Sequence, residues 1–260
     1  IGDNALHLAA RFGQVDVVQF LLKSTDFDIN QGNMDDDSIL HLAVKGGNLD
    51  IVKLLLERTD TDPNKVNKDD DTLLHSAVKG GYIDIVKLLL EQTAIDPNKV
   101  YKDDDTLLHL AVKGGYPDIV KLLLERTDTD PNKVNKDDDN LLHLAVKGGY
   151  IGIVKLLLEQ TDIDPSKVNK DDDTILHLAV KSGYLDIVKL LLERTDTDPN
   201  KVNKFNGNTP LHAFISRQNE LINEVYQYTE TEYNEKEHVD VEIVQLLLER
   251  TDFDPYKVNE

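Results

Sequence analysis

Two residue patterns in this 260-residue chain could do chemistry. Three consecutive aspartates stand at 35–37, 69–71, 103–105, 137–139 and 171–173. His7, His41, His75, His109, His143 and His177 follow one another at 34-residue intervals, and His212 comes 35 residues later. Clustered carboxylates could hold a calcium or magnesium ion, and histidines could ligate zinc or move protons. Calcium needs six to eight oxygens around one point, and an EF-hand spreads its ligands over about 12 residues with a closing glutamate. The KDDDT stretch at 102–106 has no such glutamate, and Lys102 competes for the carboxylates. A zinc-peptidase helix needs two histidines on one face, at i and i+4, which a 34-residue spacing does not give. No nucleophile–base–acid set and no G-x-x-x-x-G-K phosphate loop is present. The reading is therefore no catalytic residue, no metal, no cofactor and no enzyme activity.

Composition narrows the classes further. The chain is 40% hydrophobic and 30% charged, with no Cys, no Trp and 6% aromatic residues. That is enough apolar material to fold, and Leu, Ile and Val must carry the core. Disulfides, thiolate metal sites and cysteine catalysis are excluded. No apolar run approaches the 18 or so residues of a membrane span, so no membrane insertion is expected. A net charge of -20 repels phosphate backbones, which argues against nucleic acid and favours a basic partner.

The elements that must position these residues recur with the histidines. Residues 101–134 and 135–168 share 27 of 34 positions. A fixed period of this length marks a stacked array. Within 101–134, Leu107, Leu108, Ala111 and Val112 form a short apolar helical stripe. Gly114-Gly115 ends it, because glycine tolerates positive φ. Pro117 suits the first turn of a second helix, where its missing N–H costs nothing. Ile119, Val120, Leu122, Leu123 and Leu124 make that helix apolar on most sides, so neighbours must cover it. Asp130-Pro131-Asn132 then breaks into a long hairpin-like loop. Neither helix buries its surface alone, and stacking gives a solenoid.

These units resemble the ankyrin-repeat family. Thr209-Pro210-Leu211-His212-Ala213 carries that family's T-P-L-H-x-A motif, and Thr72-Leu73-Leu74-His75 and its equivalents carry variants of it. The Gly80-Gly81 turn and the Ile85-Val86-Lys87-Leu88-Leu89 helix agree. The resemblance covers seven units, at about 1–32, 33–66, 67–100, 101–134, 135–168, 169–203 and 204–260. It implies an all-α ankyrin-repeat solenoid of helix–turn–helix units. The family's loop-tip glycine survives only as Gly2 and Gly207; Asp36, Asp70, Asp104, Asp138 and Asp172 replace it. The resemblance implies loops roughly 10 Å apart, too far for two to share an ion. It also implies a structural hydrogen-bonding role for the motif histidine and partner binding at the loop tips and first-helix face.

Local physics gives each aspartate of a triplet a task. Asp104 tolerates the left-handed conformation in place of glycine. Asp103 closes the turn through its side chain. Asp105 precedes the cap and favours the helix dipole from an exposed site, by roughly 0.3–1 kcal/mol. Thr106, like Ser38 and Asn140, caps the helix. Collectively the tips form an acidic ladder, with Lys68, Lys102, Lys136 and Lys170 beside it. Candidate partner-binding residues are Asp36, Asp70, Asp104, Asp138 and Asp172, with Lys79, Lys113 and Lys147 on the first helices. Tyr82, Tyr116, Tyr150 and Tyr184, beside the helix–helix turn, are expected to stack as packing.

The last unit departs from the rule. His177 to Ile187 spans 10 residues and His212 to Ile243 spans 31, so 21 extra residues enter near 216–238. Ile215, Leu221, Ile222, Val225 and Tyr226 extend the first helix to about residue 228, and a polar loop follows. Tyr226, Tyr228 and Tyr233 among acidic neighbours join the candidate recognition residues. The end units keep apolar outward positions (Val17, Val18 and Phe20; Ile243, Val244 and Leu246), so the expectation is a fragment whose ends are covered by further repeats or domains. The functional expectation is a non-catalytic protein–protein interaction module for a basic partner in an intracellular setting. Near-identical arrays resemble those of effectors that host-associated bacteria deliver into host cells. The alternative is a structural spacer that positions flanking domains.

Overall fold

A computed structural model describes residues 2–24, 27–92, 100, 102–126, 129–224, 241–250 and 252–254. Two compact units divide at Asp130 and Pro131. The first contains α1 (Ala5–Arg11), α2 (Val15–Ser24), α3 (Ile39–Lys45), α4 (Leu49–Leu56), α5 (Leu73–Gly80), α6 (Ile83–Gln92), α7 (Leu107–Lys113) and α8 (Pro117–Leu124). The second contains α9 (Leu141–Lys147), α10 (Ile151–Gln160), α11 (Ile175–Ser182), α12 (Leu185–Leu192), α13 (Pro210–Glu224) and α14 (241–249).

Each unit is built in two layers. In the first, α1, α3, α5 and α7 pack side by side, and α2, α4, α6 and α8 form a second row. In the second, α9, α11 and α13 form one row, and α10 packs on α12. The sequence dictates the layering. First helices of seven or eight residues are too short to stand alone in water. In α7, for instance, every residue from Leu107 to Val112 is buried. In α8, Ile119, Val120 and Leu123 are buried, and Pro117 opens the helix as its spacing predicted.

The turn between paired helices uses its two glycines differently. The second is left-handed: Gly81 has φ +73° and Gly115 φ +69°. The first, Gly80, is needed for space, since a Cβ there would collide with the Tyr82 ring. A Cβ on Gly81 would meet Tyr116 Cε1 at 2.6 Å. Tyr82 thus lies across Gly47 and Gly80, and Tyr116 across Gly81 and Gly114, one glycine from its own turn and one from the preceding turn, and the Tyr82 hydroxyl donates to the Lys45 carbonyl at 3.3 Å. The expected aromatic ladder is a set of rings seated on glycine backbone. Asn48 takes the tyrosine's position after α3 and donates from Nδ2 to the carbonyls of Ala10 (2.8 Å) and Arg11 (2.9 Å).

Among the described residues the loops make no continuous strand; one antiparallel bridge joins Val168 and Thr174. In the last unit α13 runs 15 residues, to Glu224, about twice the length of the other first helices. The remainder of the predicted helix to residue 228, His238, and Tyr226, Tyr228 and Tyr233 lie outside the described residues.

Candidate partner-binding surface

The loop tips follow from backbone sign. Asp36, Asp70, Asp104, Asp138 and Asp172 all take positive φ, between 54° and 60°. This is the left-handed position foreseen for them, which aspartate adopts more readily than most residues. Asp103 is left-handed as well, at φ 69°, and sits in a 3-10 turn over Lys102–Asp104.

An asparagine two residues before the triplet organises each of four tips, and the sequence reading did not single it out. Asn67 Oδ1 accepts from the amides of Asp69 and Asp71, both at 3.0 Å. Asn33, Asn135 and Asn169 do the same in their loops. The amide nitrogen then reaches back one unit. Asn67 Nδ2 donates to Asp37 Oδ1 at 2.9 Å, Asn169 to Asp139 at 3.2 Å and Asn203 to Asp173 at 2.9 Å. The signal was legible as Asn at 33, 67, 135, 169 and 203, with Tyr101 the departure.

The third aspartate corrects an expectation. The sequence places Asp105 as an exposed partner of the helix dipole. It is buried, at 3% exposure, as are Asp37, Asp71, Asp139 and Asp173. Each accepts an ion pair from the lysine eight residues on, at 2.5 to 2.7 Å: Lys45, Lys79, Lys113, Lys147 and Lys181. The lysine side chains keep 35–39% exposure. The candidates Lys79, Lys113 and Lys147 therefore serve first to neutralise buried carboxylates, which are costly to leave unpaired.

The tips themselves divide. Asp36, Asp70, Asp104 and Asp138 are exposed, as are their preceding neighbours Asp35, Asp69, Asp103 and Asp137. Asp172 is buried and accepts the Lys204 amide at 2.5 Å, so it stands inside the loop. Of the flanking lysines, Lys102 pairs with Asp69 at 2.5 Å, which holds that carboxyl below the usual carboxylate range. Lys68 donates through its ammonium to the Met34 carbonyl, and its amide bonds the Asp35 carbonyl at 2.9 Å.

The histidines are structural, as the resemblance implied. Thr106 caps α7 by accepting from the His109 amide, and His109 Nδ1 receives the Thr106 amide (3.1 Å) and hydroxyl (2.7 Å). Ser38, Thr72, Asn140 and Thr174 form the same reciprocal cap. The far ring nitrogen bonds a carbonyl further along the chain: His7 Nε2 that of Gln31 (3.0 Å), His143 that of Lys167 (3.2 Å) and His177 that of Asn208 in the next repeat (3.1 Å). Burial holds His41, His143 and His177 below the ordinary histidine value. Among the described residues no group of three or more His, Cys, Asp or Glu is placed to hold a metal ion.

What this arrangement defines is a repeated scaffold with a displayed edge, and comparison with known proteins agrees. The sequence model of ankyrin repeats matches residues 1–67, 40–135 and 108–203, and the chain belongs to the ankyrin-repeat family. Among solved structures it is similar to the ankyrin repeat domain of Bcl-3, a member of the IkappaB family. The identity is 28% over 82% of this chain and 94% of that one, with TM-score 0.64. It is similar in fold to the human ASB11 ankyrin repeat domain, at 24% identity over 83% and 98% of the two chains and TM-score 0.71. A chain in the structure of the Bd0816 predatory endopeptidase from Bdellovibrio bacteriovorus with immunity protein Bd3460 matches at 26% identity, over 75% and 100%, with TM-score 0.66. No curated protein matches the chain in sequence. Ankyrin repeats are generally non-catalytic protein–protein interaction modules. No helix among the described residues is long and apolar enough to cross a membrane.

Proposed function

We propose that the chain is the partner-binding part of an intracellular protein and that its loop-tip edge receives a basic protein surface. One observation carries the reading. The first-helix lysines that could neutralise the edge are drawn onto the buried third aspartates. The exposed carboxylates of Asp35, Asp36, Asp70, Asp104, Asp137 and Asp138 are thus displayed in successive repeats, while Asp69 is taken up by Lys102. Such a field steers a cationic partner and repels polyanions. Lys79, Lys113 and Lys147, half-exposed behind the tips, set where an incoming cation is disfavoured. The insertion near 216–238, with Tyr226, Tyr228 and Tyr233, is the second candidate contact. Delivery into a host cell as a bacterial effector is the wider setting this reading fits, and it rests on resemblance alone.

The test uses three forms of the chain in a pull-down from host or native lysate. One is intact. One carries Asp36→Asn, Asp70→Asn, Asp104→Asn and Asp138→Asn, which keeps a residue tolerant of positive φ and removes the charge. One has 216–238 replaced by a short turn. A partner lost only with the asparagine form places recognition on the tips, and one lost only with the deletion places it in the insertion. A partner retained by both altered forms, or captured by none, sinks the proposal and favours the spacer.

A further inference from the structure

The second helices end on a repeated clamp. From residue 33 onward, four units carry Arg-x-Asp: Arg58 with Asp60, Arg126 with Asp128, Arg194 with Asp196 and Arg250 with Asp252. The contact is two-pronged. Arg58 Nε and Nη2 donate to the two oxygens of Asp60 at 2.9 and 2.7 Å. Arg194 does the same on Asp196 at 2.9 and 2.6 Å, and Arg250 on Asp252 at 2.8 and 2.7 Å. An aspartate at this position is therefore placed to take the planar edge of a guanidinium, which lysine cannot offer. The other two units lack the arginine, in different ways. The third has Gln92 and Ala94, so cation and acid are both gone. The fifth has Gln160 but keeps Asp162, an acid without its clamp. Asp162 is exposed, and Asn132 Nδ2 donates to its Oδ1 at 3.2 Å.

Asp162 opens onto a groove of about 480 Å³ between the loops at 132–140 and 162–169. Val134, 47% exposed, and half-buried Val168 give it apolar wall. Asp138, Asp162 and Asp164 line it against one cation, Lys167. The same groove one unit on, lined by Thr174, Thr197, Asp198 and Lys201, holds about 120 Å³. There the two equivalent acids are diverted: Asp172 is buried on the Lys204 amide, and Asp196 is held by Arg194. The wide groove thus coincides with carboxylates that the chain satisfies for itself in the narrow one.

We propose that this groove takes one arginine side chain of the basic partner. The guanidinium fills the place on Asp162 that Arg194 fills on Asp196, with Asp138 and Asp164 adding charge of the same sign. The methylene stem lies along Val134 and Val168, as the stem of a long cationic side chain does on apolar surface. The inference rests on the reading of the chain as a binder of a basic protein, and adds the side chain that anchors the contact.

The test is fluorescence anisotropy of the full chain at low salt with two labelled probes. One is a pentapeptide with a single arginine among glycines, and the other its lysine counterpart. The arginine peptide is expected to bind roughly fivefold or more tightly than the lysine peptide. Asp162→Asn removes the acid, and Gln160→Arg supplies the guanidinium from within the chain, as the sibling units do. Each is expected to weaken arginine-peptide binding roughly tenfold. Gln92→Arg makes the same change of charge beside Ala94 and is expected to leave binding unaltered. Thermal unfolding checks that all three variants fold. No binding, equal binding of the two peptides, or equal loss from Gln92→Arg and Gln160→Arg overturns the inference. In the lysate pull-down, a partner retained by Gln160→Arg but lost with the asparagine tips sinks this inference and leaves the loop-tip reading standing. Peptide binding as expected, with no partner lost from the asparagine tips, sinks the loop-tip reading alone.

Discussion

Within a single triplet, neighbouring aspartates answer to different physics. Asp70 is held at φ 60°, where an L side chain without a local hydrogen bond costs roughly 1–2 kcal/mol. Asp70→Gly is therefore expected to leave stability unchanged or slightly raised, and Asp70→Ala to lower it by about 1 kcal/mol, read from the urea midpoint. One residue on, the sign change in φ turns Asp71 inward, where Lys79 meets it at 2.7 Å. Lys79→Ala strands that buried carboxylate and is expected to cost about 1–3 kcal/mol in the same assay. An equal loss from Asp70→Gly and Lys79→Ala would contradict this division. Ser76 shows the reverse case. Its hydroxyl is buried without a hydrogen-bond partner among the described residues, at the position that Leu42, Leu110, Leu144 and Leu178 fill elsewhere. Ser76→Leu restores the repeat and is expected to raise stability by about 1–3 kcal/mol; a lower thermal midpoint would refute that.

The helices were legible from periodicity, and their ends only partly so. The helix pair, the glycine stop, the Pro117 start and the Thr106 cap follow from local chemistry, and local chemistry is what one repeat displays. The buried Asp–Lys pair was missed because it joins residues eight apart through a turn whose direction depends on one dihedral angle. The Asn67–Asp37 bond was missed because it crosses from one unit to the next. Helix length shows the same limit. α4 and α12 stop after eight residues where Arg58 and Arg194 each clamp an aspartate two positions on, whereas α10 continues to Gln160. The same arginine in the last unit does more. Arg250 Nη1 donates to the carbonyls of Leu192 (2.6 Å) and Arg194 (2.8 Å), and Nη2 to that of Thr197 (3.2 Å). It fastens α14 to the end of α12 in spite of the inserted segment. Arg250→Ala is expected to cost about 1–3 kcal/mol and to release α14 first. Hydrogen exchange would show it as lost protection in 243–249 with α9 unchanged, and uniform loss along the chain would contradict it.

For the whole molecule, the histidine series converts a repeated local bond into a shared response to pH. Nδ1 must stay unprotonated to receive the cap amide, and burial disfavours the charged ring. His41, His143 and His177 accordingly sit below the ordinary 6.5 when folded and return to it when unfolded. The sign then follows from linkage. Above 6.5 both states are neutral and the stability is complete. Below it the unfolded chain binds protons that the folded chain refuses, so stability falls with falling pH until the folded rings titrate too. The Arg–Asp clamps act in a separate, more acidic window. Asp60, Asp196 and Asp252 lie below their ordinary 3.8 when folded, so their contribution persists above that value and is lost only beneath it. Thermal unfolding followed from pH 7.5 to 5 is expected to show a falling midpoint across the histidine window alone. His143→Gln is expected to be less stable at pH 7.5 yet to lose less on acidification, because one linked proton has gone. A midpoint flat across that range, or an unchanged slope in the variant, would mean the buried rings do not couple folding to protons. Because His177 is bonded to the Asn208 carbonyl of the next repeat as well as to its own cap, its protonation loosens that joint too, and the unfolding midpoint reports the sum over the buried rings.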